Sequence, residues 1–165
     1  MGVDEWDMVL IEKTFEIKAP TEKIWNIIAD RRRIPELQPN VLQVNVDPPG
    51  LAVPGQEFRF VYKVWGRKVK VVGNHVEAVP NKLLRSEHRP GGMFETFGDT
   101  MKLETSSNGT QVTTILEYEL AMGAFGKFLG WLFVNRAIRN DAANYWRNVR
   151  RLAESSTYPP KAVVM

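Results

Sequence analysis

The chain has 165 residues, 44% hydrophobic and 25% charged, with a formal charge of +3, the profile of one soluble globular domain that permits anionic partners without requiring them. It contains no cysteine, which excludes a disulfide-stapled scaffold, a CxxC redox centre, a thiolate zinc site and a cysteine nucleophile. No apolar run reaches the ~18 residues of a membrane span, and Asp4 and Glu5 stand where a secretory signal would carry cations, so the expected compartment is the cytoplasm.

Residues 8 to 18 put Val9, Ile11, Phe15 and Ile17 on one parity and Glu12, Thr14, Glu16 and Lys18 on the other, the period of a half-buried strand. Ala19-Pro20 ends it. Ile24, Trp25, Ile27 and Ile28 then follow helical spacing, with Pro20 suited to a helix's first turn. Arg31-Arg32-Arg33 closes that helix, where cations complement the dipole and stay solvated. A second short helix covers Ile34 to Leu37, and from Val41 to Leu120 the pattern is strand, turn, strand throughout.

The turns set the registers. Trp65-Gly66 places Phe60 opposite Val71 and Tyr62 opposite Val69, and Pro80-Asn81 places His75 opposite Ser86 and Gly73 opposite His88. Pro90-Gly91 pairs His88 with Met93, Ser86 with Glu95 and Leu84 with Phe97; Asn108-Gly109 pairs Asp99 with Tyr118, Met101 with Leu116 and Leu103 with Thr114. One face then carries Phe58, Phe60, Tyr62, Val69, Val71, Phe97, Met101, Leu103, Leu116 and Leu120, interrupted by His75, Ser86, His88, Glu95, Asp99 and Tyr118. The other, with Arg59, Lys63, Lys68, Lys70, Arg85, Glu87, Lys102, Glu104, Glu117 and Glu119, faces solvent. Buried polar groups need partners, at about 1–3 kcal/mol for each left unsatisfied, and aromatic walls with a few convergent polar groups compose a small-molecule pocket. The alternative is that Tyr62 and Tyr118 carry their hydroxyls to an open rim.

Ala124 to Glu154 is predicted as one long helix, with Trp131, Val134, Ile138, Ala142, Tyr145, Val149 and Leu152 in the stripe that lies on the sheet and Arg136, Asn140, Arg147, Arg150 and Arg151 opposite. Phe125 to Val134 is apolar nearly all round. It offers a gate over the sheet, with Gly126 and Gly130 for flexing, or else a peripheral membrane or subunit contact with Lys127 and Trp131 at its edges. Residues 155–165, with Pro159-Pro160, form a flexible tail, leaving 1–154 as a single domain, a monomer or homodimer.

Phe15-Glu16-Ile17-Lys18-Ala19-Pro20, Glu22-Lys23-Ile24-Trp25 with Asp30, the Ile34-Pro35-Glu36-Leu37-Gln38-Pro39 segment, Gly109-Thr110 and the Gly126…Gly130…Asn144…Leu152 helix together resemble the START-like, or SRPBCC helix-grip, superfamily. Within it the polyketide cyclase/dehydrase-like branch is the most similar, over about residues 8 to 154, although Gln38 stands where many relatives have an aromatic. The resemblance implies an α+β helix-grip fold: a curved antiparallel sheet of about seven strands wrapped around the C-terminal helix, with two short helices after the first strand. Between sheet and helix it implies a cavity that in relatives accepts lipids, sterols, polyketides or other hydrophobic small molecules.

The expected ligand-binding set is Phe58, Phe60, Tyr62, Val71, His75, Ser86, His88, Glu95, Phe97, Asp99, Met101, Leu116 and Tyr118 on the sheet, with Trp131, Val134, Ile138 and Tyr145 on the helix. The row His75, Ser86, Glu95 is no serine triad, because the serine occupies the middle, where the imidazole belongs, and the chain has no Gly-x-Ser-x-Gly elbow. Asp99 beside Tyr118 is the candidate proton donor, its carboxyl raised by desolvation; a plain hydrogen bond bridging two strands is the bland alternative. His88 is a second acid or base, or a hydrogen-bonding pocket residue. His75, His88, Glu95 and Asp99 lack metal-ligand spacing, no cofactor is implied, and no nucleic-acid motif is visible. Three functions remain: a carrier or sensor of a hydrophobic small molecule; a cyclase, aromatase or dehydratase using Asp99, Tyr118 and His88; and an accessory subunit of a quinone or redox complex.

Overall fold

The alternation at the start of the chain builds β1 (Met8–Ile17), which buries Ile11 and Ile17 and exposes Glu12 and Glu16. The computed structural model describes residues 8–89, 94–121 and 124–155. Pro20 caps α1 (Thr21–Ile28), which buries Ile24, Trp25, Ile27 and Ile28 as its spacing requires. A 3₁₀ turn (Arg31–Arg33) follows, begun by Asp30, whose side chain accepts from the Arg32 N–H, and leads into α2 (Ile34–Leu37).

Seven antiparallel strands then complete one sheet. They are β1, β2 (Val41–Asp47), β3 (Glu57–Val64), β4 (Arg67–Val79), β5 (Leu83–Arg89), β6 (Phe94–Ser106) and β7 (Gly109–Leu120), in the spatial order β1-β7-β6-β5-β4-β3-β2. The last element is α3 (Ala124–Glu154). This is the helix-grip architecture, and α3 spans the residues its periodicity predicts.

Two hairpin registers agree with expectation and two are displaced. Phe60 faces Val71, Tyr62 faces Val69, His75 faces Ser86 and Gly73 faces His88. Across β6 and β7, Ser106 pairs with Gly109, so Ser107-Asn108 forms the turn and Asp99 faces Leu116 instead of Tyr118. Between β5 and β6, Ser86 faces Asp99 instead of Glu95, and Leu84 faces Met101 instead of Phe97. His88 faces Phe97, while Met93 and the Pro90-Gly91 turn lie outside the described residues. Both displacements are even, so every side chain keeps its predicted face. Glu95 is the exception: a bulge between Phe94 and Thr96 leaves it exposed.

The core has two apolar clusters. The larger joins α1, α2 and the C-terminal part of α3 (Tyr145, Trp146, Val149, Ala153) to Phe58, Phe60, Leu84, Met101 and Leu103 of the sheet. The smaller gathers Ile11, Tyr118, Leu120 and Val134, with Phe97, Leu116 and Ile138 packed against them. Polar contacts fasten the C-terminal end of α3: Asn148 Nδ2 donates to the Leu37 carbonyl at 2.9 Å and the Lys18 N–H to Glu154 Oε1 at 3.0 Å. Earlier in α3, Phe128, Trp131, Leu132 and Phe133 are exposed. Trp131 therefore does not join the sheet-facing stripe as predicted, and the first buried member of that stripe among the described residues is Val134. Phe125, Gly126, Lys127 and Gly130 lie outside the described side chains, as do residues 156–165 of the expected tail.

Candidate functional site

Strand pairing carries one row of side chains across the concave face: Leu116 on β7, Asp99 on β6, Ser86 on β5 and His75 on β4. Into this row reaches Arg31, which is only 3% exposed. It follows Ile24, Ile27 and Ile28 at helical spacing, so continuing that stripe carries it inward, while Arg32 stays outside on Asp30. Arg31 Nη2 donates to Ser86 Oγ at 2.7 Å and lies 3.5 Å from Asp99 Oδ2. Its guanidinium sits over the Phe58 ring, 5.0 Å from the centroid.

The second oxygen of Asp99 accepts from His88 Nε2 at 2.5 Å. Burial pushes the Asp99 carboxyl up, but Arg31 and the His88 hydrogen bond outweigh it and hold the group down at about 2. Asp99 is therefore a carboxylate near neutral pH, not the raised-pKa acid expected from the sequence. Tyr118 is not its partner either: it stands opposite Phe97, stacked at 6.3 Å between centroids.

His75 is fully buried, and burial, reinforced by the Arg31 charge, lowers its pKa to about 3. Its Nδ1 lies 2.9 Å from Ser86 Oγ. Ser86 Oγ accepts from Arg31, and its bond with His75 Nδ1 is donated by either partner according to the imidazole tautomer. His75 Nε2 has no hydrogen-bond partner among the described residues, nor do Arg31 Nε and the Tyr145 hydroxyl. Burial raises the hydroxyl pKa of Tyr62 and Tyr145 well above that of a free phenol, with Arg31 acting in the opposite direction on both. The network thus presents unpartnered polar groups within an aromatic enclosure.

A pH dependence follows from His75. Its folded pKa lies below the unfolded value of 6.5, so the unfolded chain takes up a proton that the fold refuses once the pH drops below that value. Stability is lost progressively from pH 6.5 towards 3, by up to about 1.4 kcal/mol per pH unit. Asp99 adds a loss in the same direction, from about 4 downwards. Urea denaturation at pH 6.5 and 4.5 should show the stability gap between wild type and His75→Gln shifting by roughly 2 kcal/mol in favour of the variant at the lower pH. An unchanged gap would mean that His75 charges freely within the fold.

Of the sequence-predicted residues, Phe58, His75, Ser86, His88 and Asp99 meet in this network. Phe60, Met101, Tyr62 and Tyr145 belong to the apolar cluster on one side, and Phe97, Leu116, Tyr118, Val134 and Ile138 to the cluster on the other. Val71 is buried on β4, Trp131 is exposed and Glu95 points outward. Sequence reasoning missed Arg31, whose signal is its place seven residues after Ile24. It also missed Gln56, buried immediately before β3, where Nε2 donates to the Pro48 carbonyl at 2.7 Å and closes the β2–β3 loop.

Solved structures share this arrangement of strands and helix. The di-domain ARO/CYC StfQ from the steffimycin biosynthetic pathway superposes with a TM-score of 0.77 at 13% identity, covering 90% of this chain and 52% of that one. The Zhui aromatase/cyclase from Streptomyces sp. R1128 gives 0.76 at 16% identity, covering 89% and 94%. Likeness at such identities shows the fold alone. In sequence, the uncharacterized protein MT0096 of Mycobacterium tuberculosis is 24% identical over 149 residues, 87% of this chain. The chain spans 62% of the length of the curated relatives it matches. The family model for polyketide cyclase / dehydrase and lipid transport matches residues 8–154, which takes in all seven strands and all of α3. The chain belongs to that family.

Proposed function

We propose that the protein binds a hydrophobic small molecule between the sheet and α3, and that a carbonyl or phenolic oxygen of this ligand accepts hydrogen bonds from the Arg31 network. The observation that carries the reading is the set of buried polar atoms without a partner among the described residues, Arg31 Nε and His75 Nε2 together with the Tyr145 hydroxyl. Each such group costs about 1–3 kcal/mol if left unsatisfied, and a ligand oxygen satisfies them while aromatic walls take its apolar body. Asp99, held as a carboxylate, orients Arg31 and His88 instead of donating a proton. Carriage or sensing therefore fits the site better than acid catalysis by Asp99.

Native against denaturing mass spectrometry of the freshly purified protein is expected to show a small molecule that leaves on unfolding. In a thermal-shift screen of aromatic, polyketide-like and lipid compounds, a ligand at 100 times its Kd adds about 2.7 kcal/mol, a rise of about 5 °C or more in Tm for a chain of this size. Tyr145→Phe separates binding from folding. Removing a hydroxyl that has no partner among the described residues leaves Tm unchanged or higher, whereas the ligand-induced rise shrinks. A protein that is empty, and silent to every class in the screen, would sink the reading.

A further inference from the structure

The β3–β4 hairpin ends in a patch of one sign. Every residue from Lys63 to Lys70 is exposed, and the charged ones among them are Lys63, Arg67, Lys68 and Lys70, with no acid between. Lys63 stands directly opposite Lys68, a cross-strand pairing of like charges that weakens a hairpin. None of the four is in a salt bridge with a carboxylate among the described residues. Further down the hairpin Arg59 and Glu57 do pair, at 2.6 Å, so the uncompensated charge is confined to the tip.

The turn carries a second cost. Trp65 has φ +46° and Gly66 φ +77°, the left-handed pair that Asn-Gly fills with least strain, yet Trp65 is 81% exposed. The indole gains little from the fold in return for a backbone conformation that a bulky residue disfavours. Val64 and Val69 are exposed beside it, which makes the tip an apolar point set among cations.

Strand direction brings a second apolar surface to the same end of the molecule. The pairs Tyr62–Val69, Val72–Arg89, His88–Phe97 and Phe94–Leu120 put the β3–β4 tip and the end of β7 on one side of the sheet. There α3 begins, with Val134 packed in one cluster with Leu120 and Phe94. In the turns before Val134, Phe128, Trp131 and Leu132 lie within about 100° of one another around the helix, and all three are exposed, as is Phe133. No helix among the described residues is long and apolar enough to cross a membrane. Cations beside exposed indole, phenyl and aliphatic groups suit the surface of an anionic bilayer, where the charges meet lipid phosphates and the apolar groups enter the interface. A nucleic acid suits them less, because Val64, Val69 and Leu132 give a base nothing to stack on.

We infer that this end of the molecule docks on an anionic lipid bilayer, through the β3–β4 tip and the first turns of α3. The contact is made by the outer surface and does not rest on an interior ligand, since Arg31, Asp99 and the two histidines take no part in it.

The test is flotation of the full chain with vesicles of phosphatidylcholine alone and of a two-to-one mixture of phosphatidylcholine and phosphatidylglycerol. Binding to the mixed vesicles is expected to be tighter by on the order of tenfold or more and to weaken as salt is raised. Lys68→Gln/Lys70→Gln should weaken it by on the order of tenfold. Lys82→Gln/Lys102→Gln, an equal loss of charge at exposed positions at the opposite end of the sheet, should leave it nearly unchanged. Trp65→Asn should also weaken vesicle binding by on the order of tenfold, with Tm unchanged or higher because asparagine suits the left-handed turn. Phe128→Ser/Leu132→Ser should weaken it with little change in Tm. Equal binding to the two kinds of vesicle, no binding to either, undiminished binding in Trp65→Asn or in the α3 variant, or equal losses in the two lysine pairs would overturn the proposal. So would tighter binding to a single-stranded oligodeoxynucleotide than to the mixed vesicles, lost in the same variants, which would make the tip a nucleic-acid site. Charge-dependent vesicle binding alongside a silent ligand screen would defeat the interior reading and leave this one standing; a retained ligand without vesicle binding would do the reverse.

Discussion

Arg31→Met is expected to lower stability by about 3–5 kcal/mol, read as a shift of the urea midpoint at pH 7, because it leaves Asp99 as a buried carboxylate without its counter-charge. Ser86 Oγ loses its donor at the same time. Methionine keeps the aliphatic stem, so the loss reports charge and hydrogen bonding more than volume. Arg32→Met removes a neighbouring guanidinium that pairs with Asp30 at 2.8 Å on the surface and should cost under about 1 kcal/mol. Adding Asp99→Asn to Arg31→Met is expected to return part of the loss, since the amide needs no counter-ion. Equal effects of Arg31→Met and Arg32→Met would show that Arg31 is not held inside by its charge.

Gly109→Ala should be comparably damaging, by about 2–5 kcal/mol, from two causes that add. Gly109 has φ +146°, and an added Cβ would meet the Ile17 carbonyl oxygen at 2.3 Å, the Ala19 nitrogen at 2.9 Å and the Lys18 Cα at 3.0 Å. Those are backbone atoms, which cannot swing aside as a side chain does. The hairpin tip presses here on the corner where β1 turns into α1, and Thr110 Oγ1 fastens the contact by donating to the Ala19 carbonyl at 2.7 Å. Gly66→Ala is the control. It also has a positive φ, +77°, but nothing lies within 4 Å of its Cβ position, so only the left-handed backbone cost of about 1–2 kcal/mol remains. The difference between the two variants measures the close approach itself.

The sequence spells out which way each side chain points better than which residues meet. Period-2 alternation orients every strand, and the Trp65-Gly66 and Pro80-Asn81 turns give the β3–β4 and β4–β5 registers. The two displaced registers come from turns placed a residue or more off centre, and because the shifts are even, the faces survive them. The site is more sensitive. A shift of two residues on β7 takes Tyr118 from Asp99, and a shift of four on β6 brings Asp99 in place of Glu95 against Ser86. Arg31 was hidden for a different reason. A run of three arginines reads as a solvated helix end, and only its phase relative to Ile24, Ile27 and Ile28 marks the first of them as inward. Burying it requires Ser86, Asp99 and the Phe58 ring, none of which adjoins it in sequence.

The position of β1 beside β7 governs how the chain comes together in time. Thr14 hydrogen-bonds Thr113 across 99 residues, and β1 lies at the end of the sheet with β7 as its neighbour. A ribosome therefore delivers the first strand long before its ladder partner exists, and Ile11, Phe15 and Ile17 wait uncovered while most of the remaining sheet is synthesised. Arg31 waits too, since Ser86 and Asp99 follow it by 55 and 68 residues. Closing such long loops makes a domain a slow folder, in the millisecond-to-second range. The guanidinium gives up its water only when β5 and β6 have formed, so a nascent chain ending before β6 lacks the Asp99 counter-charge, and one ending before β7 still leaves β1 without its ladder partner.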